Sequence, residues 1–162
     1  MTLGRKALAI LALCAPLSLF AQERIDHLQV GMGYFNVLRD ARRFQFQLEY
    51  RWQFNYHGLR PLFSWFITSK GALYVCGGGA WDIFLGKNFV LTPSFAPGLY
   101  YQGKGKDLHF PLEFRSSIEL AYQLKNKGRL GVQFFHISNA SLARKNPGSE
   151  SLIFFYAIPI HR

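Results

Sequence analysis

The chain is short of cysteine, of acidic side chains and of long apolar runs, and each shortage excludes something. Its two cysteines are Cys14 and Cys76, and the first falls inside an N-terminal export segment. Cys76 is then alone, so no intramolecular disulfide can hold the exported domain together. Beyond residue 20 no stretch approaches the ~20 consecutive apolar residues of a spanning helix. His27, His57, His109 and His161 have no metal-ligand spacing with one another or with Cys76, so no metal or other cofactor is expected. Gly77-Gly78-Gly79 precedes no helical pattern and is not a nucleotide loop; a bend or close strand packing explains it better.

Residues 1–21 carry the marks of a cleaved signal peptide: basic Arg5-Lys6, apolar Ala7 to Phe20, and the small Ala21 at the cut. Pro16 and the short apolar length argue against an uncleaved anchor. Leu13 stands before Cys14 where lipoprotein processing needs a small residue. The expected mature domain, 22–162, has 141 residues, with 17 basic and 9 acidic side chains. It is rich in rings: the whole chain has 16 Phe, 8 Tyr and 3 Trp at a mean hydropathy of +0.03. A barrel can show such rings to lipid, whereas a soluble domain must hide them.

Strict alternation is the main periodic signal. Phe44, Phe46, Leu48, Tyr50, Trp52 and Phe54 interleave with Arg43, Gln45, Gln47, Glu49, Arg51 and Gln53, a pattern no helix fits. Residues 110–124 repeat it, with Ser116 alone breaking the apolar face. Both runs exceed the ~9–11 residues of a tilted transmembrane strand. With turn signals at Asn55 to Gly58, Lys70-Gly71, Gly86 to Asn88, Gly103 to Asp107 and Lys125 to Gly128, strands are expected near 27–38, 42–54, 60–68, 72–85, 88–102, 109–124, 128–139 and 150–161. The fold class is therefore all-β: an eight-stranded antiparallel transmembrane barrel of the bacterial outer membrane. Strand 3 is the least regular, because Phe63, Trp65, Phe66 and Ile67 do not alternate. Glu49, Arg51, Asp82, Glu113, Arg115 and Glu119 fall on the inward face, where pairing into an ionic interior is expected.

With a periplasmic N-terminus, Arg39, Arg42, Arg43, Lys70, Lys104, Lys106, Arg144 and Lys145 lie on outer loops, against Asp40 and Asp107. Such loops suit the phosphates of lipopolysaccharide. Outer-membrane lipids are the expected surroundings, nucleic acid is not an expected partner, and a homodimer stays open.

The chemistry-bearing segment is His136-Ile137-Ser138-Asn139, followed by Asn146-Pro147-Gly148-Ser149-Glu150. His136 and Ser138 share a strand face with Phe134, and Glu150 opens the next strand. A serine needs a base within hydrogen-bond reach, and a carboxylate can orient that base. Backbone N–H groups around Asn139 to Ser141, helped by Asn139 or Asn146, are the candidate oxyanion donors. The residues themselves indicate a lipid-facing serine esterase.

This segment, Phe135 to Ala140 with Asn146-Pro147-Gly148 and Glu150, resembles the lipid A 3-O-deacylases of the PagL type. The resemblance implies that Ser138 is the nucleophile, His136 the general base and acid, Glu150 the third member, and Asn139 a contributor near the oxyanion. It implies as substrate the 3-hydroxyacyl chain ester-linked at position 3 of lipid A. At position 141 some members of that family have glycine in place of this chain's Ser141. Two alternatives stand beside it: an outer-membrane phospholipase A, which uses asparagine as third member and calcium, and a non-enzymatic barrel acting as an anchor or adhesion protein.

Overall fold

The computed structural model describes residues 25–53 and 58–160. The expected signal peptide at 1–21, the turn residues Asn55 to His57, and His161-Arg162 lie outside the described residues. The strands are β1 (Asp26–Phe35), β2 (Arg43–Arg51), β3 (Leu59–Thr68), β4 (Leu73–Trp81), β5 (Ile83–Leu85), β6 (Phe89–Tyr101), β7 (Leu112–Gln123), β8 (Arg129–Ser138) and β9 (Ser149–Ile160). β4 and β5 both pair antiparallel with β6 in one register, Ala80 opposite Ser94 and Ile83 opposite Leu91. They are two lengths of one stave, and β1 pairing with β9 completes a closed antiparallel barrel of eight. Closure leaves no open edge, which a lipid-embedded sheet requires.

The expected fourth strand is broken at Asp82, whose carboxylate is drawn inward by three partners. Arg60 donates at 2.7 Å, Arg129 lies at 2.8 Å, and the Thr92 hydroxyl donates at 3.0 Å. The third strand is regular after all. Phe63 and Ile67 point outward while Leu62, Ser64, Phe66 and Thr68 are buried, so Phe66 is an inward ring that masked the alternation in the sequence.

Inward and outward positions differ sharply in chemistry. Outward are Phe44, Phe95, Leu130, Phe154 and their like, all exposed as a lipid-facing wall requires. Inward, the barrel has two halves. Toward one end Arg51 bonds Glu49 at 2.7 Å and Glu119 through both guanidinium nitrogens, and Arg115 bonds Glu49 at 2.7 Å. Glu113 was expected in this ionic set, but its carboxylate has no hydrogen-bond partner among the described residues; it stands two residues beyond Arg115 toward the loop end of β7, past the paired guanidiniums. Toward the other end the interior is stoppered by rings, with Phe66 5.7 Å from Phe35, 5.5 Å from Tyr74 and 5.9 Å from Phe135. The two longest connections, 102–111 and 139–148, both lie at this aromatic end. Long loops mark the extracellular side of such barrels, so the aromatic end faces outward.

Candidate active site

β8 and β9 carry the candidate residues His136, Ser138 and Glu150, and the inward face of β8 fixes where the first two point. Phe135 and Ile137 are fully buried, Phe135 against Phe66 and beneath the Arg115 guanidinium at 5.6 Å. Since a strand alternates, locking these two inside forces Phe134, His136 and Ser138 onto the lipid face. A slip of one residue would exchange the two sets and bury the histidine.

The register sets His136 directly opposite Glu150, and His136 Nδ1 lies 3.1 Å from Glu150 Oε1. Both side chains are partly exposed, 43% and 19%. With Nδ1–H donated to the carboxylate, Nε2 presents its lone pair on the far edge of the ring. Gly148 packs against that edge: a Cβ there would stand 2.6 Å from Cε1 and 3.1 Å from Nε2. Gly148 has φ +52°, so both its backbone and its neighbour demand glycine. Nε2 is thus aimed toward the outer end of the hairpin, where Ser138 stands on the same face. The Ser138 hydroxyl makes no hydrogen bond among the described residues, to His136 or to any other group.

The loop after Ser138 is tightly tied. Asn139 is buried; its side-chain amide donates to Leu108 O at 3.1 Å and Lys145 O at 2.9 Å, and its Oδ1 accepts from Ser141 N–H at 3.0 Å. Asn146 Oδ1 accepts the Asn139 N–H at 3.1 Å. Both asparagines therefore brace the loop with all these groups engaged. Ala140 and Ser141 have φ of +51° and +65°, left-handed values rare for side-chain-bearing residues. The Ala140 N–H, next to Ser138's neighbour, makes no hydrogen bond among the described residues. From β7, Phe114 stands opposite Ser138 and Ser116 opposite His136, so the serine that breaks the apolar face lies beside the imidazole.

One support was not legible as part of the site. Lys106, from the loop between β6 and β7, donates to Gly148 O and to Asn36 Oδ1 (2.8 Å), and Ser149 Oγ donates to the same Asn36 oxygen at 3.3 Å. Partial burial and the nearby Arg39 charge pull the Lys106 ammonium pKa below the usual lysine range, while the Glu150 carboxylate opposes them. Only its basic character was visible in the sequence; its reach to the hairpin depends on tertiary packing. Of the other histidines, His109 pairs with Asp107 at 3.2 Å and His27 points inward to Lys127 O at 3.1 Å.

A family model, lipid A 3-O-deacylase (PagL), matches residues 46–159, which is most of the chain and includes all of the site. The chain belongs to the lipid A 3-O-deacylase family. The deacylase is accordingly an outer-membrane hydrolase acting on lipid A. Among solved structures, that of the outer membrane enzyme PagL is similar at 19% identity, covering 83% of this chain and 99% of that one, with a TM-score of 0.66. The Yersinia pestis outer membrane protein Ail in a phospholipid bilayer nanodisc is also similar, at 13% identity over 82% of this chain and 99% of that one, with a TM-score of 0.48. Curated protein sequences give no significant match.

Proposed function

We propose that the deacylase works through a Ser138-His136-Glu150 triad opening onto the outer leaflet and cleaves the ester of the 3-hydroxyacyl chain at position 3 of lipid A. The observation that carries this reading is the 3.1 Å His136–Glu150 contact on the lipid-facing wall, with Ser138 beside it. Polar groups facing lipid are costly and mark function by default. Ser138 Oγ attacks the ester carbonyl as His136 Nε2 takes its proton, and Glu150 stabilises the imidazolium. Collapse of the tetrahedral intermediate expels the sugar hydroxyl, which leaves with that proton. Water, deprotonated by the same nitrogen, then attacks the acyl-serine and releases the 3-hydroxy acid. The Ala140 N–H, uncommitted and held in a strained turn, is the oxyanion donor in this reading. Asn139 and Asn146 act on the oxyanion indirectly, by holding that turn.

Ser138→Ala should leave a folded barrel whose lipid A keeps the 3-hydroxyacyl mass, a loss of about a thousandfold or more in rate. Mass spectrometry of lipid A from expressing cells reads this directly. The wild-type enzyme should run at full rate in excess EDTA, since the triad needs no cation; a strict calcium requirement with efficient phospholipid cleavage would instead fit the phospholipase.

A further inference from the structure

The glycine triplet of β4 has no part in the chemistry above. Tyr74, Cys76 and Ala80 are buried, so Val75, Gly77, Gly79 and Trp81 are the outward positions of this strand. Neighbouring staves carry exposed rings there, Phe63 on β3 and Phe95 on β6. Where the glycines lack side chains the wall is hollowed into an apolar groove of about 520 Å³, floored by Gly77 and Gly79 and walled by Leu59, Trp81, Phe95 and Pro97. Small-molecule sites run to ~300–1,000 Å³.

Packing explains only part of the triplet. A Cβ on Gly78 would fall 2.1 Å from Phe95 O and 2.6 Å from Ala96 Cα, so β6 presses on the backbone there. A Cβ on Gly77 would meet only Leu62 O, at 3.8 Å, an ordinary contact, and its φ is not in the left-handed region. Glycine inside a strand weakens it and often marks close approach by something else. At Gly77 nothing among the described residues makes that approach.

The groove lies on the same wall as the triad. Pro97 pairs with Phe114 and Phe114 with Ser138; one row inward, Phe95 pairs with Ser116 and Ser116 with His136. From β4 to β8 is three strand steps, about 15 Å at ~4.8 Å each. Between groove and triad the stacked rings of Phe95 and Phe114, 6.1 Å apart, form a ridge. The groove starts near Pro97, in the row of Ser138, and runs to Trp81 and Leu59 near the other end of their strands, the direction in which an acyl chain hangs from its headgroup.

We propose that this groove seats a second acyl chain of the same lipid A molecule whose ester lies at Ser138, and so selects lipids with acyl chains on a wide headgroup. The inference rests on Ser138 being the nucleophile. Two chains on one glycerol leave it side by side and cannot straddle the Phe95–Phe114 ridge. Chains borne on the two sugars of a disaccharide can, which makes the lipid A headgroup the fitting occupant.

The test fills the groove from its floor. Gly77→Leu and Gly77→Phe, in the purified full-length protein in detergent micelles, should lower kcat/KM on lipid A about tenfold or more, chiefly through KM. Hydrolysis of p-nitrophenyl acetate, too short to reach the groove, should stay at the wild-type rate, and heat-modifiable gel mobility should report an intact barrel. Wild-type rates on lipid A from both variants would mean that the groove holds only bulk lipid and would overturn the proposal. Equal losses on both esters would overturn it too, since the substitution would then act through the fold. Failure of the triad reading is seen separately, as p-nitrophenyl acetate hydrolysis that survives Ser138→Ala.

Discussion

Two of the clusters that this barrel builds from carboxylates and nitrogen bases, one inside around Arg51 and Arg115 and one on its wall at His136, differ in how completely they are satisfied. Inside, Glu49, Arg51, Arg115 and Glu119 are 0–3% exposed, and each carboxylate is bonded to at least one guanidinium. On the wall a single 3.1 Å contact joins His136 to Glu150, while the Ser138 hydroxyl and the Ala140 N–H have no partner among the described residues. With every carboxylate oxygen of the interior cluster engaged and only the Arg115 Nε–H unpartnered among the described residues, that cluster serves the fold. The wall cluster keeps a lone pair, a hydroxyl and an N–H free, and those are the groups an ester hydrolysis uses.

The sharpest way to break this comparison is to exchange the expected losses. His136→Asn should reduce deacylation about a thousandfold or more while leaving urea unfolding in lipid vesicles unchanged, because the ring contributes nothing to interior packing. Comparable activity in mutant and wild type, read by release of 3-hydroxy acid, would remove His136 from the mechanism. Glu150→Gln comes next, at about ten- to a hundredfold: the amide can still orient Nδ1–H but cannot stabilise the imidazolium charge. Glu150→Ala should be worse, and equal, undiminished rates for both would exclude the carboxylate. Glu119→Gln should show the opposite pattern. It breaks the bidentate pair with Arg51, which costs about 3 kcal/mol of barrel stability by the measure of buried pairs, and leaves the turnover of the folded fraction unchanged. A stability loss on the wall or an activity loss from the interior would show the two clusters to be coupled.

Alternation made most of the barrel legible, since a period of two is a local property and each outward ring announces its own face. Phe66 was opaque because a ring faces lipid and a barrel core equally well; only the position of Phe35, Tyr74 and Phe135 around it decides. The break at Asp82 was hidden for a similar reason, its three partners coming from β3, β6 and β8. In the site, the positions of His136, Ser138 and Glu150 follow from strand spacing and one hairpin. The bracing of Asn139 by Leu108 O and the reach of Lys106 to Gly148 O do not, because both partners lie some thirty or more residues away in the chain.

Ser138 opens sideways into the leaflet and not upward into the barrel mouth, which the aromatic stopper fills. On the proposed triad, enzyme and substrate meet by lateral diffusion in two dimensions, and the concentration that governs turnover is the mole fraction of lipid A in the surface around the protein. Adding inert detergent at fixed bulk substrate should slow the reaction as though substrate had been removed, a surface-dilution behaviour that an enzyme with a water-filled pocket does not share.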